Sequence, residues 1–518
     1  MKILLAYTSG MPDRTDPYIT LLPTGVCSLH AVLREEGFDS LLANFSGFSE
    51  KEIIRQITVH NPTVVGISQW THNRHASHEL SRLIRHAVPT CTIIMGGAHA
   101  TFSYADILYP GSPVDCVVIG EGEGTVSELV RKLRDGTGWQ DIQGIAYLEQ
   151  ESVIVTGKRP HLRDLDSLPM ATRYLGDSVG VDIQLQAEFI ITTRGCPSAC
   201  YFCSSPQFWD RKVRFRSPGN IVDEMEYIRN RFGLIYFSIR DDTFTVDRNR
   251  TIEFCRMLIE RKLYIVWNCQ SRVATLDEEL LIWMKRAGCE CVQLGVESGS
   301  PRVLKQLGKV ITPAQVVRVA DLIRKVGISL SIYLITDVPG ETEEDIQQSI
   351  ELIKQIGPDD GYVSPLAYFP GTRLFNEAVD DGTIEKNAFV KQEDPAVYAM
   401  SKNNGKARRL LKSISKHRRQ SGEKCFREQK NLLGFCAVTN VLSGECFRQH
   451  GDYAAAEQEF RELVNVEPQN PWGWYLLAEL YTEIGRMRKA EECYRTVCEI
   501  VPEHVPSREV LRVIKKRG

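Results

Sequence analysis

Twice along the chain, short apolar runs alternate with amphipathic segments, and this double alternation limits the fold more than any other feature. Over residues 1–135 the runs are KILLAY (2–7), SLLANF (40–45), TVVGIS (63–68), CTIIMGG (91–97) and DCVVIG (115–120). Helical patterns such as GVCSLHAVLREEG (25–37) and ASHELSRLIRHAV (76–88) separate them. Five such units predict an open, parallel, doubly wound α/β sheet with ligands at the carboxyl ends of its strands. The second alternation begins at 188 with EFIITT (188–193) and continues through IYFSI (235–239), YIVWNC (264–269), CVQLGV (291–296), SLSIYLI (329–335) and GYVSPL (361–366). Ser217 before Pro218 and Thr312 before Pro313 read as N-caps with proline at the first helical position. Thr275 with Glu278, and Thr342 with Asp345, have capping-box spacing. Six strands of this kind predict a complete or partial parallel α/β barrel.

A chain of 518 residues implies three to four domains at about 150 residues each. With 43% hydrophobic and 25% charged residues and a net charge of −3, it is neither wholly disordered nor globally basic like many nucleic-acid binders. No apolar run approaches the roughly 20 residues of a membrane span. The start, MKILLAYTSGMPD, reads as a first strand rather than a signal peptide, so a cytoplasmic protein is expected. Fifteen scattered cysteines, an odd number, point to metal ligands in a reducing compartment rather than a disulfide framework. We divide the chain into a sheet domain (1–138), a connector with the hairpin GIAYLEQESVIVTG (139–185), a barrel (186–380), a basic helical linker (381–432) and a helical end (433–518).

That end repeats at a spacing of 34: Phe447, Gly451, Ala456, Phe460 and Pro468 recur as Tyr481, Gly485, Ala490, Tyr494 and Pro502. Period and residue types resemble two tetratricopeptide (TPR) repeats, with 505–516 as a capping helix.

The chemistry concentrates in IITTRGCPSACYFCSSPQFW (190–209), which carries Cys196, Cys200 and Cys203. The loop is polar and holds Gly and Pro, which sets these thiols apart from core cysteines. Structural zinc takes four Cys or His ligands, and a ferredoxin-type cluster takes four cysteines at its own spacing. Three cysteines on a four-iron cluster leave one iron open to a substrate or cofactor; chance thiols or zinc are the plain alternative.

CxxxCxxC after the first strand of an α/β barrel resembles the radical S-adenosylmethionine (SAM) superfamily. The resemblance implies a TIM-type partial barrel and a 4Fe-4S cluster on Cys196, Cys200 and Cys203, with SAM chelated at the open iron. It implies cleavage of SAM to a 5′-deoxyadenosyl radical, fed by an electron donor of flavodoxin or ferredoxin type. It also implies SAM contacts. Phe202 would lie at the adenine, and Asp241 and Asp242, in YFSIRDDTF (236–244), near the amino group. Arg272, in WNCQSRV, would meet the carboxylate; Glu297 and Ser298, in QLGVESGS (293–300), the ribose. Loop packing for Phe202, a solvated loop for the two acids and a structural ion pair for Arg272 stand beside these readings. LITDVPGETEED (334–345) resembles the family's fifth-strand turn but has Asp337 where Gly is usual, and YFPGT (368–372) completes the set.

The first sheet lacks GxGxxG after its first strand, which argues against a dinucleotide. LLPTGVCSLHAVLREEGF (21–38), GISQWTHNRHA (66–76), MGGAHAT (95–101) and VIGEGEGT (118–125) are similar, in order and spacing, to the Rossmann-like cobalamin-binding domain of class B radical SAM enzymes. The implied cobalamin contacts are Gly25, Ser68, Gln69, Trp70, Thr71, Gly96, Gly97, Gly120, Glu121 and Glu123. Ser68 would bond to the nucleotide tail, Gly96 and Gly97 would allow close backbone approach, and Trp70 would cap cobalt. The two glutamates can equally be first-turn residues of a helix. The stretch YTSGMPDRTDP (7–17) has none of the histidine that the usual cobalamin loop supplies, so cobalt would lack a protein imidazole. His72 is either a ligand or a surface histidine.

Together these resemblances imply a cobalamin-dependent radical SAM methyltransferase. Methylcobalamin would supply the methyl group to an unactivated carbon of a small-molecule, lipid (hopanoid-type) or peptide substrate. The alternatives are ring formation or rearrangement without net methylation, and a non-enzymatic cobalamin sensor or scaffold. An RNA methylthiotransferase would carry a further cysteine triad, whereas Cys27, Cys91 and Cys116 are dispersed. The basic stretch 402–430 reads first as a solvated helical face, then as a surface for an anionic membrane, RNA or an acidic carrier. Peripheral contact with the inner membrane is thus conceivable, while nucleic acid is not the expected partner. The TPR repeats would bind a protein or cap the barrel. Cys289 and Cys291 read as core residues, and a second cluster on Cys425, Cys436 and Cys446 is the least favoured reading.

Overall fold

The computed structural model describes residues 1–9, 21–391, 405–419 and 421–517. It divides into two compact units. One holds the first sheet, residues 194–215 and the described part of 366–400; the other holds 187–193, 216–365 and the described C-terminal helices.

In the first unit β1 (Lys2–Tyr7), β2 (Asp39–Asn44), β3 (Val64–Ser68), β4 (Thr92–Gly96) and β5 (Cys116–Val118) are parallel, in the order β2-β1-β3-β4-β5. This is a doubly wound order whose direction reverses between β1 and β3, leaving a crevice at their carboxyl ends. An antiparallel hairpin, β6 (Ile145–Glu149) and β7 (Ser152–Val155), continues the sheet beyond β5. Strands covered by helices on both faces need continuous apolar residues. KILLAY supplies them: Ile3, Leu4, Leu5 and Ala6 are each at most 1% exposed.

The second unit strings β8 (Phe189–Ile190), β9 (Tyr236–Ile239), β10 (Val266–Ser271), β11 (Cys289–Glu297), β12 (Ser329–Thr336) and β13 (Asp360–Pro365) in chain order, all parallel. The first and last strands do not pair, so the barrel is partial. Its helices begin where the caps predict. Ser217 and Thr312 accept from the backbone N–H of Asn220 and Gln315, and Thr342 with Asp345 forms a reciprocal box. The exception is Thr275. Asp277 caps helix Glu278–Arg286 instead, because its carboxylate accepts from Leu280 N at 2.9 Å. Thr275 ends a 3-10 turn and bonds to Thr245. Phe244, Phe254 and Trp267 pack edge-to-face at 5.5–5.6 Å between strands and helices.

Helices Ala437–Gln449, Tyr453–Val466, Pro471–Glu483, Met487–Ile500 and Val505–Arg517 follow. The recurring Ala456, Phe460, Ala490 and Tyr494 are fully buried, and Gly444 leaves room for the Phe460 ring. The described part of the basic stretch forms packed amphipathic helices. Ala407, Leu410 and Ile414 are buried, Lys406 pairs with Glu341 at 3.0 Å, and Arg409 pairs with Glu343. No helix among the described residues is long and apolar enough to cross a membrane.

Candidate functional site

The cysteine loop leaves β8 and turns at Gly195. Gly195 has φ +98°, and a Cβ there would collide with the Lys212 carbonyl, so the neck of the loop requires glycine. Cys196, Cys200 and Cys203 are half-buried, as is Phe202. The residues after the YFPGT turn brace the loop. Leu374 N donates to Tyr201 O at 3.0 Å, and the Arg373 guanidinium stacks 3.9 Å over the Tyr201 ring. Elsewhere burial pushes thiols up, to about 12 for Cys27 and Cys116, which keeps them from acting as thiolates. Cys425, Cys436 and Cys446 each bond to separate partners. Among the described residues no three Cys, His, Asp or Glu converge to hold one metal ion. A four-iron cluster offers each thiolate its own iron, so three spaced thiols on a polar loop fit it and leave one iron open.

Of the residues expected at a corrin, Ser68, Gln69, Trp70 and Thr71 follow one another at the carboxyl end of β3. Ser68 is half-exposed at the strand end, and Trp70 stands 41% exposed beside it. Gln69 is buried; its side-chain amide donates to Ser77 Oγ at 3.0 Å, and among the described residues its Oε1 has no hydrogen-bond partner. Thr71 Oγ1 lies 3.1 Å from His99 Nδ1, and burial lowers His99 to about 3. A flat exposed indole, a strand-end hydroxyl and an unpaired amide oxygen suit a large macrocycle edged with amides. Three expectations change. Gly97 (φ +107°) serves the approach of the Gln69 backbone, 2.5 Å from where a Cβ would sit, while Gly96 makes only ordinary contacts with Val118. His72 is no surface histidine: its Nε2 lies 3.1 Å from Tyr7 Oη, and burial lowers its pKa. Sequence reading also missed Asn73, fully buried, which donates to Thr8 O at 2.7 Å and accepts from Trp70 N at 2.6 Å. Gly25 opens helix Thr24–Glu35 with free space around it, and Gly120 (φ +76°) donates to Thr101 Oγ1 at 3.0 Å. Gly10–Pro17 of YTSGMPDRTDP lie outside the described residues.

The largest correction concerns Glu121 and Glu123. Their side chains are 6% and 5% exposed and are committed to the two stems of the cysteine loop. Arg194 reaches Glu121 and Glu123 at 2.6 Å each, and Arg214 reaches Glu121 at 2.8 Å. Ser28 Oγ donates to Glu123 at 2.7 Å, and Leu162 N donates to Glu121 at 2.7 Å. Burial by itself would raise Glu123; Arg194 and Ser28 reverse the sign and hold it below the usual carboxylate range. Burial likewise opposes the Arg194 charge, and the two glutamates more than offset it. Arg194 and Arg214 flank the loop, so one acidic pair fixes both of its ends.

In the second unit Asp241 is 1% exposed and accepts from Thr192 N (2.6 Å), Thr193 N (3.0 Å) and Thr192 Oγ1. It thus latches the chain leaving β8, and the exposed carboxylate is that of Asp242. Arg272 is half-buried, and among the described residues its guanidinium has no hydrogen bond or ion pair. Glu297 pairs with Lys309 at 3.0 Å, and Ser298, 1% exposed, accepts from Ser300 N at 3.1 Å. Both therefore turn polar atoms toward the protein, where a ribose contact was expected. Asp337 adopts φ +60°, the left-handed conformation for which glycine is ordinarily used, so the departure from Gly keeps the turn.

The chain matches the family models of the radical SAM superfamily over residues 190–353, the B12 binding domain over 17–130 and the tetratricopeptide repeat over 447–506. It is 29% identical over 370 residues to an uncharacterized methyltransferase of Pyrococcus horikoshii, covering 70% of this chain and 79% of that protein. It is also 29% identical over 444 residues to the anaerobic magnesium-protoporphyrin IX monomethyl ester cyclase of Rubrivivax gelatinosus, covering 82% of this chain and 79% of the relative. The radical SAM methyltransferase TsrM from Kitasatospora setae, solved with cobalamin and a 4Fe-4S cluster bound, shares the fold. Its TM-score is 0.63 at 18% identity, over 74% of this chain and 75% of that one. The cofactors of the present chain are accordingly a 4Fe-4S cluster, SAM and cobalamin. Domain order, cysteine loop and crevice together place the chain among the cobalamin-dependent radical SAM enzymes of methyltransferase type, ending in tetratricopeptide repeats.

Proposed function

We propose that this enzyme methylates an unactivated carbon of a small-molecule substrate. The observation that carries the reading is the cysteine loop, whose three half-buried thiols would hold a four-iron cluster with one iron to spare and whose stems are tied to the turn after β5 of the first sheet. When bound, the cluster with SAM supplies a hydrogen-abstracting radical, and the corrin supplies the methyl group. The protein's part is placement. Cys196, Cys200 and Cys203 hold the cluster, and Glu121 and Glu123 fix the loop that carries them. Ser68, Trp70 and Thr71 border the corrin crevice. The exposed Asp242 and the half-buried Arg272 would meet the SAM amino and carboxylate groups, and Phe202 its adenine. No side chain need act as general acid or base.

An external one-electron donor of flavodoxin or ferredoxin type completes the reaction, and the repeats offer a face to a protein partner. None of the fifteen cysteines is in a disulfide, which supports a reducing, cytoplasmic setting. The test is anaerobic reconstitution with iron, sulfide and cobalamin, then incubation with cell extract and methyl-labelled SAM. Label entering one compound is the expected result. Deoxyadenosine release without label transfer would instead favour ring formation or rearrangement.

A further inference from the structure

Resting on that enzymatic reading, we propose that Arg240, on the inner face of the partial barrel, holds an anionic group of the substrate. The strands present two different faces. Phe237 and Ile239, Trp267 and Cys269, and Ile332 and Leu334 are buried. Between them, Gln270 and Tyr333 are half-exposed, and Tyr362 is 54% exposed. Pairing puts Gln270 beside Gln293 and Gln293 beside Ser331, and one step further along it puts Tyr333 beside Tyr362. The inner face is thus a polar layer followed by an aromatic one.

Arg240 follows β9 directly and is anchored by its backbone N–H to Ile190 O at 2.9 Å. Its half-buried guanidinium lies 5.1 Å over the Phe189 ring and donates to Gln293 Oε1 at 3.2 Å. That same oxygen accepts from Tyr333 Oη at 2.9 Å. Among the described residues no carboxylate lies within ion-pair distance of Arg240. Glu188 feels its charge, but burial raises the Glu188 pKa and so weakens it as a counter-ion. An amide oxygen does not neutralise a guanidinium held partly out of water, so the site is complementary to an added anion. In the same layer Ser331, 3% exposed, has a hydroxyl without a hydrogen-bond partner among the described residues.

Beside these groups Tyr333 and Tyr362 stack at 5.2 Å and 16°, and the exposed Tyr362 ring presents a face to a flat or apolar body. Arg272 stands two residues beyond Gln270, toward the carboxyl ends of the strands. The barrel therefore offers two cations for two anions, Arg272 for the SAM carboxylate and Arg240 for the substrate. The substrate class that fits is a carboxylate, phosphate or phosphonate on a planar or apolar body. A neutral polycyclic hydrocarbon leaves Arg240 without a partner.

The test uses the cofactor-loaded full chain and saturation-transfer NMR with benzoate, phenylphosphonate and neutral benzamide. Benzoate or phenylphosphonate is expected to exceed benzamide by about tenfold in occupancy, and R240Q to erase the difference. R240K keeps the charge without the fork and should fall between; if R240Q does not fold, an unchanged anion preference in R240K overturns the proposal. Equal binding of benzamide and benzoate to the wild type overturns it too. A SAM titration of the same samples separates the two anions: loss of SAM affinity in R240Q with benzoate binding intact would assign Arg240 to the cofactor. The brown and red chromophores of the wild type report the underlying enzymatic reading separately.

Discussion

The two parallel sheets are built from the same strand–helix unit and differ in how they treat alternate residues. In β1, Ile3 through Ala6 are all buried, because helices cover both faces. In β12, Ile332 and Leu334 are buried while Tyr333 and Ile335 are half-exposed, because helices cover one face and the other lines an interior. KILLAY and SLSIYLIT already record the contrast: one run is continuous, the other is broken by Ser331 and Tyr333. A doubly covered sheet can offer ligands only its strand ends, whereas a partly closed barrel can also offer the middle of its strands.

The strongest way to break this comparison is at the loop that follows β8. C200A should abolish SAM cleavage and the cluster absorbance, while corrin retention survives; loss of the red chromophore as well would mean the two cofactor sites are not separable. Next is E121Q, which leaves Arg194 and Arg214 short of counter-charge. Breaking a buried pair of this kind costs about 3–5 kcal/mol, seen as a lowered urea midpoint and faster proteolysis within 195–213. A third experiment compares neighbours within a strand. L4A and L5A should each cost about 2–5 kcal/mol, and I332A a similar amount, whereas S331A should stay within about 0.5 kcal/mol. Equal costs for I332A and S331A would contradict a one-sided sheet.

The smallest effect is that of pH. Burial lowers His30 to about 4 and His99 to about 3, both in the first unit. Below about pH 6.5 the unfolded chain binds protons that these folded imidazoles refuse, so stability falls by about 1.4 kcal/mol per pH unit per histidine. The second unit has one such group, His504, at about 4. It also has Asp241, Glu290 and Asp359, which burial raises. A raised carboxyl gives its stability below its unfolded pKa and loses it as pH rises through the folded one, so acid favours those three. Between pH 7.5 and 5.5 the first unit should therefore lose more resistance to pulse proteolysis in urea than the second.

Local signals carried most of the fold into the sequence. The apolar runs, the proline-marked caps at Ser217 and Thr312 and the 34-residue period all act over a few residues or one repeat. Thr275 lost its cap to Asp277, a better acceptor two residues nearer the helix. The cysteine triplet was legible because its spacing is its chemistry. Glu121 and Glu123 were not, since acids at a helix start serve a ligand, a cap or an ion pair equally well. Their deciding partners, Arg194 and Arg214, lie more than 70 residues away. Arg240 was hidden differently: two aspartates beside it drew the chemical reading, and only strand register sets it with Gln293 and Tyr333.

The acidic pair bears on how such enzymes can be recombined. A barrel excised near residue 186 would keep every cluster ligand yet strand two arginines beside nothing negative. Chimeras that trade one parent's corrin module for another's should therefore keep the GEGE turn and the flanking arginines from a single parent. The useful cut follows the charges rather than the fold boundary.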